Sequence, residues 1–269
     1  MKRRRGLPCL ALLVVLLLIG ACALVQMPGR SFQGPLPSET PDETALAKAL
    51  IDDVTMLATG IGERNYHARE GLDQAAAFVR GRFMEQGYEV TSRPFTVTEE
   101  GASDQSFENL EVEVRGRSRP EEIVLIGAHY DTALGTPGAN DNGSGMAVLF
   151  ALSNALKGQR PMRTVRFVAF ANEEPPFFDT TDMGSRRYAM GVAARRENVI
   201  AMLSLETMGC YSDVDGSQRY PFPFDLFYPS TGNFIAFIGD LGSISSPTGS
   251  LVRFAVARNF HLRVPRCQA

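Results

Sequence analysis

Three stretches of this 269-residue chain stay apolar for longer than a half-exposed strand allows: "EIVLIGAHYD" (122–131), "TVRFVAFANEE" (164–174) and "VIAMLSLETMG" (199–209). A strand wetted on one face alternates in polarity. A near-continuous apolar run requires cover on both faces, the situation of strands in a largely parallel sheet flanked by helices. Segments of helical period lie around these runs. "REGLDQAAAFVRGRFMEQG" places Leu72, Ala76, Val79 and Phe83 on one face and stops at Gly87. "SGMAVLFALSNALKG" and "GSRRYAMGVA" are two more helices, and another begins at Thr44 with Asp42 or Thr44 available as its cap. "YEVTSRPFTV" and "FENLEVEVRG" alternate and read as strands. "FIAFIGD" reads as a fourth buried strand, and "SPTGSLVRFAVARNF" as a helix close to the end. Strands alternating with helices predict an α/β fold, a three-layer α/β/α sandwich around a mixed, centrally parallel sheet. There is no internal repeat.

The N-terminus has a different character. "MKRRRGLPCLALLVVLLLIGAC" joins a cationic start to an apolar run and small residues ending at Cys22. This predicts an export leader over residues 1–25. Ile19-Gly20-Ala21-Cys22 resembles a bacterial lipobox, whose cysteine is lipidated. Uncleaved, Leu7 to Val25 is long enough to act as a signal anchor. Either outcome places the rest of the chain outside the cytoplasm and associates it with a membrane. Residues 26–43, rich in Pro, Gly, Ser and acid, read as a tether, and 44–269 as the domain. The net charge of −3 already includes four leader cations, which argues against a nucleic-acid partner. The four cysteines show no paired spacing, so neither a disulfide framework nor a cysteine zinc knuckle is expected.

Open α/β sheets place their sites just past the carboxyl ends of the strands. The three buried runs end there in "GAHYD", "FANEE" and "LSLET", and Asp141 opens the helix after the first. Each alone has an ordinary reading: a polar exit residue, a turn aspartate, a solvated acid pair. Together, His129, Asp141, Glu173, Glu174 and Glu206 would bring four carboxylates and one imidazole to one place without counter-charge, which is strongly repulsive unless divalent metal is bound. Imidazole and carboxylate without thiolate suit zinc. Asp131, two residues beyond His129, is placed to accept its second ring N–H. A pair of such ions would supply Lewis-acid and water-activating chemistry.

"HYD", "ANDNGSG", "NEE" and "LET", in this order and at these intervals, resemble the M28 family of zinc aminopeptidases and carboxypeptidases. The resemblance runs from about Ile61 to the C-terminus and takes in "GERN", "LDQAAAFVRGRFMEQGYEV" and "MGSRRYA". It implies a zinc-dependent exopeptidase fold with two Zn2+ per domain, acting on peptide substrates through a metal-bound water. Carried over residue by residue, His129 and Glu206 correspond to terminal ligands of one zinc. Asp141 corresponds to the bridge between the two, and Glu174 to a ligand of the second. Glu173 corresponds to the general base, and Asp131 to the partner of the histidine. The resemblance also implies a cis peptide at Asp141–Asn142.

One element of the family pattern is missing: a late histidine for the second zinc, commonly in a Ser-Asp-His stretch, followed by a last strand and helix. His67 lies early and His261 at a predicted helix end, so the domain is expected to be C-terminally incomplete, with one zinc or none. The alternatives are a glutaminyl cyclase, which shares the fold with one zinc, and a catalytically dead ectodomain. The aromatic stretch "YPFPFDLFYPS" (220–230) reads either as a wall of a substrate pocket or as a surface loop packing its own aromatics.

Overall fold

The computed structural model describes residues 38–97 and 104–235 except Pro223 and Phe227, together with the isolated leader positions Leu12, Val15 and Gly20. Most of the leader, the tether up to Pro37, the predicted C-terminal helix and most of "FIAFIGD" therefore lie outside the described residues. The chain divides into two units, Ser38–Cys210 and the remainder, and each is described by itself.

The first unit opens with α1 (Pro41–Thr55) and α2 (Arg69–Glu85). Helix α1 begins earlier than its apolar period suggests, inside the stretch read as tether. The cap is Thr40 rather than Asp42 or Thr44. Its hydroxyl accepts from the Glu43 amide while the Glu43 carboxylate takes the Thr40 amide, with Pro41 in the first turn. This reciprocal pair satisfies two orphan amides, whereas Asp42 and Thr44 fall within the helix and cannot. On α2, Leu72, Ala76, Val79 and Phe83 are all buried, joined by Ala75, and the chain leaves through Gly87 at φ +80.

Strands β1 (Thr91–Val97), β2 (Gln105–Val114), β3 (Arg119–His129), β4 (Arg163–Phe170) and β5 (Asn198–Ser204) form an open sheet in the order β1-β2-β4-β3-β5. β1 with β2 and β2 with β4 are antiparallel. β4 with β3 and β3 with β5 are parallel. Helix α3 (Gly145–Leu156) links β3 to β4, and α4 (Gly184–Ala194) links β4 to β5.

The sandwich is visible residue by residue along β4. Phe167, Ala169 and the following Ala171 enter one core with Leu72, Val79, Phe83, Met146, Leu149 and Phe150 of α2 and α3. Val168 and Phe170 enter a second core with Leu125 and with Tyr188 of α4. Successive side chains thus leave opposite faces and both faces are covered, which explains the unbroken apolar run. β5 departs from the expectation of a buried strand. Among the described residues it pairs with β3 alone and lies at the margin of the described sheet, where Met202 is 51% and Leu203 38% exposed. Its apolar composition signals strand, not burial.

Among the described residues of the second unit, the 220–230 stretch packs its own aromatics. Tyr220 stacks against Phe234 at 6.4 Å and meets Tyr228 at 5.3 Å, while Phe222 stays 81% exposed.

Candidate metal centre

Parallel alignment of β4, β3 and β5 brings their carboxyl ends to one edge. His129 is the last residue of β3 and pairs in register with Phe170, the last of β4, while Gly127 pairs with Ser204 at the end of β5. The chain then leaves each strand within a few residues: to Asp131 from β3, to Glu173 and Glu174 from β4, and to Glu206 from β5.

The sequence-predicted residues converge on the His129 ring. Its Nε2 lies 3.1 Å from Asp141 Oδ1, 3.5 Å from Glu206 Oε2 and 3.8 Å from Glu173 Oε2. One donor atom each from His129, Asp141 and Glu174 lies within 4.8 Å of the others. On the far side of the ring, Nδ1 is 3.3 Å from Asp131 Oδ1, as expected. That contact is electrostatic rather than a formed hydrogen bond, because the buried Nδ1 is not aligned with an acceptor. The better-made bonds of Asp131 lie elsewhere: its two oxygens accept the backbone amides of Glu173 at 3.1 Å and Glu174 at 3.0 Å. The predicted cis peptide at Asp141–Asn142 is present.

Burial alone would depress the His129 imidazole, but the Asp131, Asp141 and Glu206 carboxylates outweigh it and hold the ring well above its ordinary range. In return His129 holds Asp141 below the usual carboxylate range. Burial, reinforced by Asp131 and the other acids against the opposing pull of His129, raises Glu173 to about 7. Glu174 is raised too, by burial and then by Asp141. A cluster in which Glu173 and Glu174 resist ionisation while Asp141 and one imidazole favour each other's charge has the chemistry of a candidate cation site.

The donor set fits zinc. Ligand bonds of about 2 Å at a tetrahedral ion set neighbouring donors roughly 3.3 Å apart. The separations from Nε2 to Asp141 and Glu206 bracket that value. His129, Asp141, Glu174 and Glu206 would hold the metal. His67 is exposed, edge-on to Tyr66 at 5.1 Å, and is not part of the donor group found among the described residues. His261 lies outside the described residues.

Two supporting residues lie in motifs that carry the family resemblance, "ANDNGSG" and "GERN", but the sequence assigns them no role. Asn142 is fully buried. It donates to the Leu205 carbonyl at 2.9 Å and to Glu206 Oε2 at 3.2 Å, and accepts from Gly145 and Thr207, stapling the exit of β5 to the Asp141 loop. Gly145 must be glycine, since a Cβ there would stand 2.2 Å from Asn142 Oδ1. The second supporting residue is Arg64, from the "GERN" stretch, whose guanidinium is buried behind the same loop.

The mixed open sheet, with its parallel strands ending at one edge, is a fold shared with solved structures of a glutaminyl cyclase and a zinc aminopeptidase. The glutaminyl cyclase of an Acidobacteriales bacterium superposes with a TM-score of 0.53 at 20% identity, over 71% of this chain and 68% of its own. BSAP, a zinc aminopeptidase from Bacillus subtilis, does so with a TM-score of 0.53 at 14% identity, over 65% and 74%. At such identities the likeness is one of fold. Residues 109–221 match the model of Peptidase family M28, an interval that holds all six predicted site residues. The uncharacterized protein YfbL of Escherichia coli (strain K12) is 34% identical over 211 residues, 75% of this chain and 62% of that protein. The match spans less than two thirds of this relative's length.

Proposed function

We propose that the chain is a zinc-dependent exopeptidase of the aminopeptidase type, removing N-terminal residues from peptides. The observation that carries this reading is the placement of Glu173. Its carboxylate faces the metal-ligand side of His129 at 3.8 Å, while its own amide is held by Asp131. When bound, zinc supplies Lewis-acid polarisation and acidifies water. Glu173, raised to about 7 by burial, is matched to accepting a proton from the attacking water near neutral pH and returning it to the leaving amine. Asp131 fixes the glutamate pair through the backbone. The leader supports a site of action outside the cytoplasm, at a membrane.

The test is hydrolysis of a set of aminoacyl-anilides by the zinc-loaded full chain, beside the Glu173→Gln variant. Turnover by the wild type, and a variant that keeps its zinc while losing turnover, is the expected result. Loss of zinc in the variant would instead make Glu173 a ligand and reverse the roles of the two glutamates.

A second reading, N-terminal glutamine cyclisation, draws support from the fold likeness to glutaminyl cyclases and from a donor group with one histidine. Conversion of a glutaminyl peptide without anilide hydrolysis would favour it over the peptidase.

A further inference from the structure

The segment Gly62–Asn65 lies far in sequence from every candidate ligand, yet it grips the whole loop between Asp131 and Asp141. The Arg64 amide donates to Thr132 Oγ1 at 3.1 Å and its carbonyl accepts from the Thr132 amide at 3.0 Å. Glu63 Oε1 accepts the Gly135 amide at 2.7 Å. The Arg64 guanidinium, with no solvent exposure, spends its donors on carbonyl oxygens. Nε donates to Tyr130 at 2.7 Å, Nη1 to Leu57, Gly62 and Pro137 at 3.0, 3.0 and 2.7 Å, and Nη2 to Gly138 at 2.9 Å.

We propose that Arg64 is a positioning residue for the metal centre, holding Asp131 and Asp141 in ligand geometry by templating the loop that joins them. This rests on the reading of Asp141 as a metal ligand.

Three of the five acceptors bracket the loop: Tyr130 immediately before Asp131, and Pro137 and Gly138 on the approach to Asp141. The loop crosses directly over the guanidinium. Gly138 sits at φ +58, and a Cβ there would stand 2.9 Å from Arg64 Nη2 and 2.3 Å from Thr132 Cγ2. A buried guanidinium is costly without a paired carboxylate, and the described bonds of this one are all to neutral carbonyls. Burial accordingly lowers Arg64 to about 10, and what offsets it is the charge of Asp131 and Asp141. The arginine thus shapes the loop and places a cation behind the acids that must be ionised to bind metal. Lysine, with a point charge and no planar fork, cannot reach the same set of carbonyls.

The experiment is titration of the full chain with Co2+, followed by visible absorption, for wild type, Arg64→Lys and Phe83→Leu. The last is a control whose loss of thermal stability falls in the core, away from the loop. Arg64→Lys is expected to weaken Co2+ binding about 10- to 100-fold, the range seen when outer partners of metal ligands are lost. It should also change the absorption intensity, while the control binds as wild type despite its lower midpoint. Should Arg64→Lys not fold, Gly138→Ala keeps the arginine and displaces the loop from it, with the same weakening expected. Wild-type affinity in the loop variant, or an equal loss in the control, overturns the positioning role and leaves the metal site standing. No Co2+ binding by the wild type overturns both.

Discussion

Asp131 accepts the backbone amide of Glu174 through one carboxylate oxygen at 3.0 Å, and that of neighbouring Glu173 through the other at 3.1 Å. A side chain just past β3 therefore fixes the backbone just past β4, and the two acids that would divide base and ligand duty are oriented by a third. Asp131→Asn keeps the size but removes one acceptor and the negative charge beside His129. Activity is expected to fall by about 10- to 100-fold, with metal affinity weakened by a similar factor, the range for groups that orient metal ligands. Steady-state kinetics alongside a zinc titration reads both, and an unchanged variant would show that Asp131 does not orient the site.

Asn142→Ala takes away the staple between the Asp141 loop and Leu205-Glu206. It leaves the Leu205 carbonyl and the Gly145 and Thr207 amides without their partner, at about 1–3 kcal/mol for a buried group left unsatisfied. Urea denaturation should show that loss, and zinc should bind more weakly because Glu206 is no longer held. Loss of stability without any change in zinc affinity would restrict Asn142 to a structural role.

Phe83 is fully buried, edge-on to Phe150 at 5.4 Å and near Tyr88 at 6.5 Å. Phe83→Ala should cost about 3–5 kcal/mol. A loss under about 1 kcal/mol would mean that α2 does not pack on α3 as described.

Acid stability has a contributor away from the metal. Burial opposes ionisation of Glu197, but Arg195 and Arg166 outweigh it and bring the carboxyl to about 2. Because the folded value lies below the unfolded one, the stabilisation is fully present above about pH 4.5. It is lost as the pH falls from there towards 2. With the side chain 20% exposed, we expect about 2 kcal/mol at neutral pH after allowance for solvent screening. Glu197→Gln should melt lower than wild type at pH 7 and converge with it near pH 2. A constant gap across that range would contradict the ion-pair origin.

The gathering of the six candidate residues at one sheet edge was legible in the sequence because their chemistry clusters at the ends of apolar runs, and the family resemblance supplies the roles proposed for them. What Asn142 and Arg64 do was not, although both stand in motifs that carry the resemblance. Their side chains act on carbonyls as many as 63 to 74 residues away, and a lone Asn in a turn or Arg after a helix gives no hint of such partners. Helix α1 shows a local ambiguity: Thr40, Asp42 and Thr44 are all capping types, and only the reciprocal bond with Glu43 selects the first. β5 shows the limit of composition, since an apolar strand is recognisable while its place at the margin of the described sheet depends on which strands pair.

The most direct measurement is the zinc content of the purified full chain, before and after His129→Ala. Zinc in fixed ratio to wild-type protein is expected, and its loss in the variant, because the Nε2 at the centre of the carboxylates is gone. Wild-type protein that takes up no zinc, or a variant that keeps it, would contradict the claim that these strand ends form a metal centre.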